Sequence, residues 1–369
     1  MKAAENGGIA PAPQGNPRLL GQEAAEARLL EAVRSERLPH AWLITGSRGV
    51  GKATLAYRFA RYLLGGGAAA GEGGGLFGEL ADGPGEGLAL SEESEVFRLV
   101  ASGSHPDLRV LQRGQDDSGK VQQAISVDSV RKALGFVHLT PALGGWRVIL
   151  VDAADDLNRN AANALLKVLE EPPKNTVFLV LAHAPGRLLP TIRSRCCHLA
   201  LPPLAEPVLA ELLGLYAPDL PAEEQAGLAV LAEGSIGRAL ELAGEGGLGL
   251  YAELVTLLSS LPRVDFSGLQ ALADRLARDR SGAAFRTASG LLLWWLARTV
   301  RAAALGRPPA EIVAGEAALS ARLLAGGDLA RAAALWEKLH GLFGRAEAVN
   351  LDRRQVFMAA FQELEGLAG

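Results

Sequence analysis

Apolar positions along the chain switch between a helical and an extended period. From Gln22 to Ser35, Leu29, Leu30 and Val33 fall on one side of a helical repeat. The run Ala41-Trp-Leu-Ile-Thr45 is short and continuously apolar, as a strand buried on both faces requires. A glycine-rich turn follows, then a helix over about 52–64. Leu108-Arg-Val-Leu111 reads as a strand, Val127 to Phe136 as a helix, and Arg147-Val-Ile-Leu-Val-Asp152 as a buried strand. Asn158 to Glu171 reads as a helix stopped by Pro172 and Pro173, and Thr176 to Ala182 as the next strand. Alternation of this kind predicts an α/β fold, a parallel sheet with helices on both faces. Past Pro202-Pro203 the strand signals fade, and Leu291-Leu-Leu-Trp-Trp-Leu296 is the most apolar point of a helical remainder.

A chain of 369 residues holds two or three domains at about 100–200 residues each. The expected division is an unstructured Gly/Pro/Ala-rich tail (1–16), an α/β domain (17–203), a small helical lid (204–246) and an all-helical domain (247–369) suited to an oligomerisation collar. Within the second of these, the run Gly65-Gly-Gly-Ala-Ala-Ala-Gly-Glu-Gly-Gly-Gly75 loses too much entropy on ordering. It predicts a mobile insertion over about 65–90.

Charge narrows the partners. A formal net charge of −4 offers no global attraction to nucleic acid, so any DNA contact is local or shared with other chains. The two cysteines, Cys196 and Cys197, are adjacent; they cannot supply a four-ligand zinc site and read as small buried side chains of a reducing compartment. The first sixteen residues lack the apolar core of a signal peptide, and no run is long enough to span a bilayer, so the expectation is a cytoplasmic protein with no membrane partner.

The candidate chemistry starts at Gly46-Ser-Arg-Gly-Val-Gly-Lys52. Glycines at 46, 49 and 51 let backbone amides wrap phosphate groups, the following helix adds positive potential, and Lys52 reaches the outer phosphates. The residue after the lysine normally supplies a hydroxyl to magnesium; here it is Ala53. Thr54 carries a hydroxyl one residue late, about 100° around the helix. A plain strand-to-helix turn that binds no nucleotide is the rival reading. Asp152, ending an apolar strand, is placed to hold magnesium through water, while Asp155 and Asp156 read as capping residues. On the helix over 158–171, Ala161, Ala164, Leu165, Val168 and Leu169 form the core face. Asn163, Lys167 and Glu170 share the opposite side, where Lys167 and Glu170 are spaced for an ion pair.

Asn163-Ala-Leu-Leu-Lys-Val-Leu-Glu-Glu-Pro-Pro173 and Thr191-Ile-Arg-Ser-Arg-Cys196, downstream of that loop, resemble the AAA+ clamp-loader subunits of bacterial DNA polymerase III. The resemblance runs from about Leu20 to Pro203 and returns at Val349-Asn-Leu-Asp-Arg-Arg-Gln-Val356. It implies an AAA+ P-loop domain with lid and collar, and an arginine finger at Arg195 entering a neighbour's ATP site. It makes Lys167 a DNA-contact candidate. The implied partners are the gamma/tau motor and delta subunits, the sliding clamp and primed DNA, within a polymerase holoenzyme. Four positions depart from active relatives: Ala53, Ala153 in place of a water-polarising glutamate, His183 at the first sensor, and Gly237 where the second sensor has arginine, Arg238 coming one later. The expectation is a degenerate ATP site, able at most to bind, beside a retained arginine. The alternatives are a gamma/tau-like motor that hydrolyses ATP and an unrelated AAA+ remodeller or DNA-repair ATPase. Relatives with a four-cysteine module carry it where this chain has the Gly/Ala run, so no zinc is expected.

Overall fold

The computed structural model describes residues 10–67, 87–115, 121–137, 140–143, 145–307, 310–323 and 328–368. Most of the glycine-rich insertion and the first nine residues of the expected tail lie outside the described residues.

Strands β1 (Ala41–Thr45), β2 (Leu108–Leu111), β3 (Arg147–Val151), β4 (Thr176–Ala182) and β5 (Cys197–Ala200) form one parallel sheet in the order β2-β3-β4-β1-β5. Every residue of β3 and β4 is buried, which accounts for their unbroken apolar runs; the edge strands β2 and β5 are only partly covered. Side chains alternate across the sheet. Leu43, Ile149, Val151, Phe178 and Val180 face a core completed by Val130, Leu165, Val168 and Ile192. These come from α4 (Val127–Val137), α5 (Arg159–Glu170) and the short α6 (Pro190–Arg193). The helix α2 (Lys52–Leu64) packs on β1, β3 and β4, joined at one end by α3 (Glu95–Ala101). The remaining helix of this region is α1 (Glu23–Arg34).

Local signals set the ends of α5. The Asn158 carboxamide oxygen accepts from the Ala161 amide at 2.8 Å, and the proline pair stops the helix after Glu170.

One expected boundary differs. Residues 10–16, assigned to an unstructured tail, are packed against α2. Pro13–Gly15 makes a turn of 3-10 helix, and the buried Arg61 guanidinium donates to the carbonyls of Gln14 (2.7 Å) and Asn16 (2.8 Å). Arg58 adds the Pro17 carbonyl and an ion pair with Glu26. One compact unit runs Ile9–Leu212 and takes in Glu233–Arg238; the second comprises Leu213–Ala232 and Ala239–Gly369.

Further helices follow in chain order: α7 (Glu206–Tyr216), α8 (Ala222–Leu231), α9 (Ile236–Gly244), α10 (Gly247–Ser259), α11 (Phe266–Arg278), α12 (Ala283–Ala304), α13 (Glu316–Leu323), α14 (Leu329–Ala348) and α15 (Arg353–Ala368). In the second unit α12 packs on α10 and α14, and α15 on α11 and α14. Phe285, Phe343, Phe357 and Phe361 interlock at its centre, and Trp294 and Trp295 are buried there as internal core. A buried polar network fastens α13. Glu316, 1% exposed, accepts from the Tyr251 hydroxyl at 2.7 Å, from Arg298 at 2.5 Å and from the Ile312 amide at 2.9 Å.

Candidate functional site

All five strands run the same way, so the loops at their carboxyl ends converge. The turn after β1 is the glycine loop. Gly46, Gly49 and Gly51 have φ of 147°, 78° and 106°, where side chains are strained. A Cβ at Gly46 would come within 2.7 Å of the Leu201 carbonyl oxygen.

Each carbonyl of the loop is tied down. Lys52 Nζ donates to Gly46 (2.8 Å) and Ser47 (2.7 Å), and Ser235 Oγ donates to Arg48 at 2.7 Å. The Gly237 amide donates to Gly49 (3.1 Å), Gln22 Nε2 to Val50 (3.3 Å) and the Leu55 amide to Gly51 (2.9 Å). With the carbonyls engaged, and with no side-chain cap at the start of α2, amides of the loop and first helical turn remain for an anion. The donor set therefore fits phosphate groups. Lys52 is buried beside them, and desolvation pulls its amine down to about 8 against the opposing pull of Asp152 and Asp155.

The set does not fit a catalytic metal centre. Ala53 has no ligand atom, and Thr54 lies half-buried further round the same turn. Asp152 follows β3 directly; burial raises its carboxyl above the ordinary value, opposed by His183 and Lys52. Ala153 is buried and carries no acid. The two acids beyond it are engaged elsewhere. Asp155 accepts the amides of His183 (2.6 Å) and Ala184 (2.9 Å), so it caps the turn after β4 rather than its own helix, and Asp156 pairs with Arg113 at 3.1 Å. His183 stands in the same electrostatic cluster, its imidazole lowered by burial first and Lys52 second. At Gly237, where the resemblance places a second sensor, a Cβ would sit 2.7 Å from Gly49 Cα, so no arginine fits while the segment holds this loop. Arg238 turns instead toward Glu233, at 3.6 Å.

Arg195 lies at the other end of the sheet. It precedes β5, whose Cys197 is level with Trp42 and whose Ala200 is level with Thr45. Roughly 10 Å of strand thus separates the level of Cys197 from the start of the glycine loop. Arg195 sits two residues behind that level, half-buried, donating to the Thr191 carbonyl (3.0 Å) and to Glu170 Oε1 (2.7 Å). The expected Lys167–Glu170 pair is therefore replaced by Glu170–Arg195. Lys167 is exposed in a groove of about 530 Å³ between α4 and α5, together with Arg131, Asn160 and Asn163. Cys196 and Cys197 are free thiols, the first buried and pushed up to about 11 by desolvation.

The roles of Gln22 and Ser235 as loop anchors were missed in sequence.

The strand order, the glycine loop after β1 and the acid after β3 define a P-loop nucleotide-triphosphatase fold of the AAA+ kind. Residues 21–205 match the family described as DNA polymerase III, delta subunit, and the chain belongs to that family. It is 40% identical over 207 residues to DNA polymerase III subunit delta′ of Pseudomonas aeruginosa, covering 56% of each chain. To subunit delta′ of Escherichia coli it is 34% identical over 177 residues, covering 48% of this chain and 46% of that one. To subunit tau/gamma of Haemophilus influenzae it is 32% identical over 228 residues, covering 61% and 30%. The chain thus spans about half the length of the delta′ relatives it matches. A solved gamma-subunit-related protein of Thermotoga maritima aligns with 92% of this chain and 100% of its own, at TM-score 0.40 and 17% identity. Among the described residues, no helix is long and apolar enough to cross a membrane.

Proposed function

We propose that this chain is the delta-prime subunit of a DNA polymerase III clamp loader, which places the sliding clamp on primed DNA. In this reading it joins gamma/tau motor subunits and delta through its helical domain, and Arg195 enters the adjacent motor's ATP site. The observation that carries the reading is the separation of the arginine from its own glycine loop. Phosphates bound in that loop lie beyond the opposite end of β1, so Arg195 can reach only phosphates held by another chain. A guanidinium arriving in trans neutralises charge on the transferring phosphoryl group and contributes roughly 10³–10⁵ in rate.

The chain's own site binds a nucleotide at most. Gly46, Gly49, Gly51 and Lys52 would hold the phosphates, but Ala53 and Ala153 leave no inner metal ligand and no water-positioning acid. Zinc has no place in this reading. Lys167 contacts the DNA backbone as a single, sequence-independent cation. A gamma/tau-like motor is the second reading, and the intact Lys52 in its glycine cradle favours it.

DNA-stimulated ATPase of the reconstituted loader, wild type against Arg195→Ala, decides between them beside turnover by this chain alone. Silence of the isolated chain with a loss of about 10³-fold in the Arg195→Ala assembly supports the trans donor. Robust turnover by the isolated chain, or no effect of Arg195→Ala, overturns it.

A further inference from the structure

Glu170 is an acid at the wrong end of a helix. It is the last residue of α5, with Glu171 at the cap, where the helix dipole disfavours negative charge. A local rule broken on the surface points to a role beyond helix stability. Its partner is Arg195 Nη2, at 2.7 Å, while Nη1 is held by the Thr191 carbonyl at 3.0 Å. Two acceptors on different elements thus fix the plane of one guanidinium. The rest of the fork is left for an incoming group. The ion pair is only partly buried, 33% and 52% exposed at the two side chains, so it contributes little to folding and can yield to a stronger anion.

We infer that Glu170 is a positioning residue for Arg195. It holds the guanidinium in the pose that meets a neighbour's phosphoryl group, and so lowers the ordering entropy that a free arginine would lose in the transition state. The inference rests on the reading of Arg195 as a donor in trans. It also gives a role to the Leu-Glu-Glu-Pro-Pro segment: the prolines end α5 so that Glu170 stops beside the chain entering β5.

The test is DNA-stimulated ATPase in the reconstituted loader with Glu170→Ala, Glu170→Gln, Arg195→Ala and the Glu170→Ala/Arg195→Ala double variant. Glu170→Ala should lower kcat about tenfold and leave KM for ATP within about twofold, since misorientation affects the transition state rather than nucleotide binding. Its Tm should stay within about 2 °C of wild type, because an exposed pair contributes little. Glu170→Gln, which keeps an acceptor oxygen, should retain most of the rate. The double variant should match Arg195→Ala alone, because a residue acting only through Arg195 has nothing left to position. A Glu170→Ala rate equal to wild type beside a crippled Arg195→Ala overturns the positioning role and leaves the trans donor standing. So does a double variant lower than Arg195→Ala by the full Glu170→Ala factor, or Glu170→Gln falling as far as Glu170→Ala. No effect of Arg195→Ala overturns the donor reading itself, and this inference with it.

Discussion

Gly49 and Gly237 touch backbone to backbone. The Gly237 amide donates to the Gly49 carbonyl at 3.1 Å, and a Cβ added to either residue would lie 2.7–2.8 Å from the other's Cα. The glycine loop and the segment Glu233–Arg238 are thereby fastened directly to each other.

Gly237→Ala should therefore destabilise the protein by about 1–3 kcal/mol, because the neighbour that must move is backbone rather than a flexible side chain. Gly290→Ala is the matched control. Gly290 is exposed inside α12 with open space around its Cβ position, so this change should stabilise by about 0.5–1 kcal/mol. Urea denaturation of the two variants checks both signs; equal effects would refute the contact.

Lys52 should titrate well below an ordinary lysine. Burial pulls its amine to about 8, against an ordinary value of 10.5, so near pH 8 about half of it is uncharged. Lys52 is 3% exposed and its amine is bound to the Gly46 and Ser47 carbonyls, so an amine-acylating reagent at pH 8 should label the exposed Lys132 and Lys174 first. The linkage sign follows from the same shift. Between about pH 8 and 10.5 the unfolded chain holds a proton that the folded Lys52 has released, so stability rises with pH there. Lys52→Met should remove that rise, measured as Tm against pH.

Arg195→Lys should not rescue the assembly's ATPase. The contacts to Glu170 and Thr191 use two different nitrogens of a planar fork, and an ammonium cannot hold both in that geometry. Turnover near the Arg195→Ala level is expected.

Truncation should separate a tail from a brace. Removing residues 1–18 takes the carbonyls of Gln14 and Asn16 from the buried Arg61, which is stacked on Phe97, and that of Pro17 from Arg58. Hydrogen bonds to a charged group contribute about 1.5–3 kcal/mol each, so a loss of at least about 3 kcal/mol is expected by chemical denaturation.

Glu316→Ala should cost about 3–5 kcal/mol, because it strands the largely buried Arg298 and the Tyr251 hydroxyl together. Burial, reinforced by Glu316, already holds the Tyr251 phenol well above its ordinary value, so its ultraviolet titration should move down toward that value in the variant.

What the sequence revealed, and what it hid, divides by range. The strands were legible because β3 and β4 are buried on both faces and so carry no polar break. Helix α5 was legible because Asn158 and the proline pair mark its ends. Arg195, Lys52 and Asp152 were legible as motif positions, though not their partners. Residues 10–16 looked structureless because what holds them is their backbone carbonyls, which have no residue signature. Ser235 lies 187 positions from Arg48, beyond any local pattern. Spacing pairs Glu170 with the lysine one turn earlier; the Arg195 guanidinium, far along the chain, takes it instead.

The parallel sheet gives the molecule a direction. Arg195 sits at the tails of the strands and the glycine loop at their heads. On the proposed reading such subunits join head to tail, and a series built that way closes or continues only while every head can answer the next tail. On that reading a head with Ala53 and Ala153 in it gives no answer. On the proposed reading, that is how an otherwise repetitive row of subunits comes to have a last member, and where a ring of them is interrupted.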